Sequence, residues 1–120
     1  MYESGEMYLE TIYVLKNKNG SVRSIDIAKE LEYSKPSVSR GVGILKKESY
    51  ITVDENGYIN LTDKGLTKAK SVFEKHQYLT DFLIKTAKVS KEIAEEDACR
   101  MEHIVSEETF QGIKKFLNSD

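Results

Sequence analysis

One cysteine, one proline, two histidines and no long hydrophobic run are what 120 residues leave sparse. A lone cysteine cannot close an internal disulfide, so the fold must be held by packing, which fits a reducing cytoplasm. No apolar stretch approaches the ~18 residues that a bilayer-spanning helix requires, and a membrane partner is excluded. The opening residues, Met1-Tyr2-Glu3-Ser4-Gly5-Glu6, carry neither the basic nor the apolar region of a signal peptide, so a cytoplasmic location is expected. The net charge of −2 argues at first sight against nucleic acid, but the halves differ. Residues 1–70 hold 11 Lys/Arg against 10 Asp/Glu, and residues 71–120 hold 7 against 10. A bound divalent cation moves that balance upward.

What is present is mostly helical pattern. Met7, Leu9, Ile12, Tyr13 and Leu15 recur at helical spacing and predict an amphipathic helix over residues 3–17, closed by the turn residues Lys16 to Gly20. After a short extended piece, Ser24 is expected to cap a second helix through Leu31. Ser34-Lys35-Pro36-Ser37 opens a third that runs to about Lys47, because serine accepts free N–H groups and proline is tolerated in a first turn. Val38, Val42 and Leu45 form its core stripe. Two β-rich runs, Tyr50–Val53 and Tyr58–Leu61, flank Asp54-Glu55-Asn56-Gly57, a strong hairpin signal. A long helix over 63–86 carries His76, a helix from Ser90 carries Cys99, Glu102 and His103, and Ser106 caps a last helix to about Leu117. The fold class expected is mainly α with a small β-hairpin. Residues 1–70 are expected to form a winged helix-turn-helix, and 71–120 a second, helical domain.

Helix, turn, helix and hairpin in that order is a DNA-reading arrangement, because the major groove of B-DNA admits one helix. Ser34, Lys35, Pro36, Ser37, Ser39 and Arg40 lie in the first turns of the reading helix, where base edges and phosphates are nearest. Arg40 can bond guanine or clamp a phosphate, and the serines can donate to phosphates. Arg23, Lys46 and Lys47 are candidate backbone contacts, and the hairpin tip at Asn56 can touch the adjacent minor groove, although Asp54 and Glu55 repel phosphate. Singly, each of these residues reads equally well as a solvated helix face. Their combined order favours double-stranded DNA.

The scarce metal-binding side chains concentrate in Cys99-Arg100-Met101-Glu102-His103. Positions i, i+3 and i+4 share one helix face. Each residue has an ordinary alternative: Met7 as core filler, Cys99 as a small buried residue, His103 as a helix-end cap. If their helix packs with the face of the first helix that carries Met7 and Glu10, a thioether, a thiolate or the cysteine backbone carbonyl, a carboxylate and an imidazole converge on one cation. That set suits Fe(II), Co(II) or Ni(II) better than the oxygen-loving Mg(II) and Ca(II). Glu10, His76 and Glu95 are candidates for a second site.

Four segments carry a family resemblance: Glu6 to Tyr13, Ser34 to Ser39, Leu61-Thr62-Asp63-Lys64-Gly65, and Asp97 to His103. Over essentially the whole chain the sequence resembles the diphtheria toxin repressor and manganese transport regulator family. The resemblance implies a homodimeric, metal-activated winged-helix repressor of metal-uptake genes, with residues 1–70 as its DNA-binding domain and 71–120 as its helical metal-binding and dimerisation domain. By position it implies an iron-type activating site of Met7, Cys99, Glu102 and His103, with His76 and Glu95 in an ancillary site where Thr80 replaces a glutamate. The manganese branch has carboxylates at positions 7 and 99, but it shares Glu10, His76, Glu102 and His103 with this chain. Among members the chain is expected to be a short form, without the SH3-like domain of longer ones.

The function expected is therefore an Fe(II)-dependent repressor, with Mn(II) as the alternative and Co(II) or Ni(II) possible surrogates. It binds operator DNA as a homodimer, whose two reading helices meet successive major grooves roughly 34 Å apart. Phe73, Phe82, Leu83, Ile104, Phe110, Ile113, Phe116 and Leu117 exceed the needs of one small core, and several are assigned to the dimer interface. A winged-helix regulator gated by an organic ligand is a rival reading. An enzyme is not expected, since no nucleophile constellation is present.

Overall fold

The computed structural model describes residues 3–119, and among them six helices and one antiparallel hairpin. In chain order they are α1 (Glu3–Asn19), α2 (Ser24–Leu31), α3 (Lys35–Lys47), β1 (Ile51–Val53), β2 (Ile59–Leu61), α4 (Asp63–Ala87), α5 (Lys91–Met101) and α6 (Glu107–Asn118). The chain divides into two compact units with the boundary at Lys70–Ser71, inside α4.

Serine hydroxyls start three of these helices. Ser34, Ser90 and Ser106 accept the N–H groups of Ser37, Ile93 and Thr109 at 3.3, 3.2 and 3.1 Å, satisfying donors that have no partner inside the helix. The cap of α2 differs from the sequence expectation. Arg23 is its N-cap and Ser24 its first helical residue; the Asp26 carboxylate accepts the Arg23 N–H at 2.9 Å. Aspartate at the third helical position reaches back to the cap, and this supplies what a serine cap was expected to supply. α1 continues to Asn19, two residues beyond expectation, because the Gly20 N–H still reaches the Lys16 carbonyl at 2.8 Å.

In the N-terminal unit α1, α2, α3 and the hairpin share one core. Leu9, Ile12 and Leu15 of α1 meet Ile27 and Ala28 of α2, Val38, Val42 and Leu45 of α3, and Ile51 and Ile59 of the strands. The strands pair Ile51 with Leu61, Thr52 with Asn60 and Val53 with Ile59. Period-2 alternation turns Ile51 and Ile59 inward while Thr52 and Asn60 face solvent. Arg23 adds an isolated antiparallel bridge to Tyr58, so the extended piece before α2 braces the wing.

The helical unit buries Val72, Leu79, Ala94, Ala98 and Phe110. Tyr78 meets Phe110 edge to face, and Phe82 meets Phe116 likewise, both with centroids 5.9 Å apart. Here one sequence expectation is corrected: Cys99, Glu102 and His103 do not all ride one helix. α5 ends at Met101; Glu102 is its C-cap and His103 lies in the following turn. The Glu102 N–H keeps its bond to the Ala98 carbonyl at 2.9 Å, but those of His103 and Ile104 fall back to the third residue before them. The α-ladder has tightened and stopped there, ahead of the Ser106 cap.

Candidate metal centre and nucleic-acid interface

On α3 the buried stripe of Val38, Val42 and Leu45 leaves the opposite face to solvent. Lys35, Pro36, Ser39, Arg40, Lys46 and Lys47 are exposed there, and Ser34 is exposed at the cap. Arg40 donates to Ser37 Oγ at 3.4 Å, and Ser34 donates to the same oxygen at 2.8 Å. The start of α3 is thus a small polar network with cationic ends pointing to water. Gly43 lies between Ser39, Arg40 and Lys47 on that face, and a Cβ there would meet nothing within 4 Å. Sequence reasoning passed over it; a glycine inside a helix, three residues after Arg40, was the available signal.

Gly41 is the opposite case. A Cβ there would lie 2.1 Å from the Tyr8 ring, so α3 needs glycine to let α1 approach. The Tyr8 hydroxyl is held above its ordinary pKa, first by burial and then by Tyr33, with Arg40 opposing. Tyr8 and Tyr33 meet edge to face at 6.2 Å.

At the wing, Asp54 accepts the N–H groups of Asn56 and Tyr58, each at 2.9 Å, which shapes the turn. Arg23 donates to the Asn56 carbonyl at 2.7 Å and lies 5.1 Å over the Tyr58 ring. Its guanidinium is engaged with the wing itself.

In the helical unit the structure gathers His76, Glu102 and His103. His76 comes from α4, 26 residues before Glu102, and its Nδ1 lies 2.9 Å from Glu102 Oε2. His103 Nε2 lies 3.3 Å from the other carboxylate oxygen. The side chains of Glu102 and His103 are 0% exposed and that of His76 is 22% exposed. A buried carboxylate is costly unless it meets positive charge, and the effective penalty is several kcal/mol even after relaxation. The two imidazoles beside this carboxylate are borderline donors of the kind that hold a divalent transition metal, and such a cation supplies the positive charge. The donor chemistry fits such a cation.

The remaining candidates sit as follows. Cys99 is half-buried in the last turns of α5. Glu95 is exposed on α5, with Oε1 3.9 Å from Lys91 Nζ. Thr80 is buried and spends its hydroxyl on the His76 carbonyl at 2.7 Å, tying that turn of α4 to itself. Met7 is half-buried in the N-terminal unit, where its sulfur accepts the Tyr33 hydroxyl at 3.3 Å; Glu10 is buried there.

Comparison with known proteins meets this arrangement from both ends. Residues 1–60 match the model described as iron dependent repressor, N-terminal DNA binding domain. Residues 62–119 match that of the iron dependent repressor metal binding and dimerisation domain. The chain belongs to the iron-dependent repressor family. That family consists of DNA-binding transcriptional repressors, not enzymes. Over 118 residues the chain is 31% identical to a helix-turn-helix-type transcriptional regulator of Methanocaldococcus jannaschii, covering 98% of this chain and 94% of that one. It is 33% identical to the iron-dependent repressor IdeR of Mycobacterium leprae over 99% of this chain, but that match spans 52% of the repressor's length. Among solved structures, the manganese regulator SloR aligns with a TM-score of 0.85 at 32% identity, over 95% of this chain and 53% of that one. The chain thus spans about half the length of the IdeR and SloR relatives it matches. No helix of the described residues is long and apolar enough to cross a membrane.

Proposed function

We propose that this chain is a metal-activated transcriptional repressor that binds operator DNA as a homodimer in the cytoplasm, with Fe(II) as its preferred activator. The observation that carries the metal half is the buried Glu102 carboxylate with an imidazole on each oxygen. In the activating site Met7, Cys99, Glu102 and His103 are the ligands, and Glu10, His76 and Glu95 are assigned to a second site. A cation held by these residues would supply fixed positive charge to the buried Glu102 carboxylate. The chain's own residues do the remaining work. Glu102 orients the His76 ring through Nδ1, as carboxylates do for ligating histidines. Ser34, Lys35, Pro36, Ser37, Ser39 and Arg40 read or clamp DNA, Lys46 and Lys47 contact its backbone, and Arg23 holds the wing that presents Asn56.

The preference for iron rests on sulfur. A thioether and a thiolate suit Fe(II) better than Mn(II), which favours carboxylate and water oxygens. The 32% identity with a manganese regulator supports Mn(II) as the second reading. Anaerobic titration of Fe(II) and Mn(II) against a duplex selected from a random library in the presence of metal separates them. Cys99→Asp is expected to shift half-maximal DNA binding toward lower Mn(II) and higher Fe(II), by about tenfold in the ratio. An unchanged ratio removes the sulfur argument. DNA binding that persists in chelator removes metal activation altogether.

A further inference from the structure

The Tyr33 hydroxyl donates to Met7 Sδ at 3.3 Å, across 26 residues of sequence. A thioether is a weak acceptor and Tyr33 is 42% exposed, so water competes for that hydroxyl. The placement is set by packing around it. Glu32 takes a left-handed conformation at φ 57°, and the Tyr33 N–H returns to the Ala28 carbonyl at 3.1 Å. The ring then stands edge-on to Tyr8, whose own ring fills the notch left by Gly41 of α3. The residue after Tyr33 is Ser34, the cap of the reading helix. One side chain therefore touches a sulfur on α1, an aromatic wedged against α3, and sits next to the start of α3.

Resting on the metal ligation of Met7 proposed above, we propose that Tyr33 is a positioning residue: its hydroxyl holds the Met7 thioether and transmits the state of that sulfur to the first turn of the reading helix. Methionine has three rotatable side-chain bonds, and ordering such a chain costs conformational entropy. A hydroxyl on one lone pair orders it beforehand and leaves the second lone pair for a cation. Any shift of the sulfur on ligation is felt at Tyr33 and at Ser34 next to it. The link needs no change of fold, only a bond between α1 and the segment leading into α3 that both events share.

The test uses Co(II) as the probe metal with the full chain, comparing the parent, Tyr33→Phe and Met7→Leu. Tyr33→Phe keeps the ring on Tyr8 and removes one oxygen, and thermal unfolding checks that its fold is kept. Two quantities are read: Co(II) affinity in a chelator competition, and the Co(II)-induced amide shifts of Tyr33, Ser34 and Ser37. The parent is expected to show those shifts. In Tyr33→Phe they should fall to less than a third while Co(II) binding weakens about threefold. Parent-like shifts or parent-like affinity in Tyr33→Phe overturns the proposal. Met7→Leu that binds Co(II) like the parent shows that Met7 is no ligand, and a parent that binds no Co(II) defeats the metal reading itself; either result overturns the proposal for a reason Tyr33→Phe does not share.

Discussion

Glu102 shows how much one side chain carries. Its carboxylate is fully buried between two ring nitrogens, so removing its charge changes both neighbours at once. Glu102→Gln keeps the shape and loses the anion; under the proposed function, affinity for Fe(II) or Co(II) should fall at least ~10-fold, as is typical for groups that hold or orient metal ligands. A chelator-competition titration reads it, and parent-like affinity would remove Glu102 from the site. Tyr8 gives a residue-scale prediction of different sign. Its pKa is raised in the folded chain, chiefly by burial, so its stabilising neutral form is fully present below the unfolded value of 10. Stability should decline as pH rises above 10 and through the folded pKa, because the unfolded state gives up the proton first. Tyr8→Phe should flatten that limb of a denaturation series.

At the scale of elements, α3 has two glycines with opposite duties. Gly43 faces open space, so alanine there should raise stability by about 1 kcal/mol through helix propensity alone. Gly41 abuts the Tyr8 ring, so alanine there should cost about 1–3 kcal/mol by overpacking. Urea denaturation of the pair checks both, and equal effects would contradict the packing of α1 on α3. If α3 is the reading helix, Gly43→Ala should also weaken DNA binding despite the gain in stability. The hairpin, the serine caps of α3 and α6, the start of a helix near Ser90, and the core stripe of α3 were legible beforehand because each is a local pattern. The end of α5 was not. Cys99, Glu102 and His103 have helical spacing in the sequence, and only the hydrogen bonds show that the ladder stops at Met101.

For the whole molecule, charge and exposed apolar surface are what remain to be partnered. Ile104 is 72% and Phe116 56% exposed in the helical unit, an arrangement that fits the proposed homodimer. Phe116→Glu should yield monomer in sedimentation at micromolar concentration and weaken binding to a two-half-site duplex, while Co(II) still binds. A dimer that survives the change would place the interface elsewhere. The family match covers both halves of the chain, in line with the residue pattern quoted from the sequence.

By itself the sequence determined which segments become helix or hairpin and which face of α3 is buried, since these follow from spacing, caps and turn residues within a few positions of one another; the family was legible as a resemblance of four segments spread along the whole chain. Tertiary structure alone decided that His76 would meet Glu102, that Tyr8 would fill the notch at Gly41, and that Tyr33 would hold the sulfur of Met7. Those contacts join residues 26 or more positions apart, and no local periodicity encodes a distance that only packing sets.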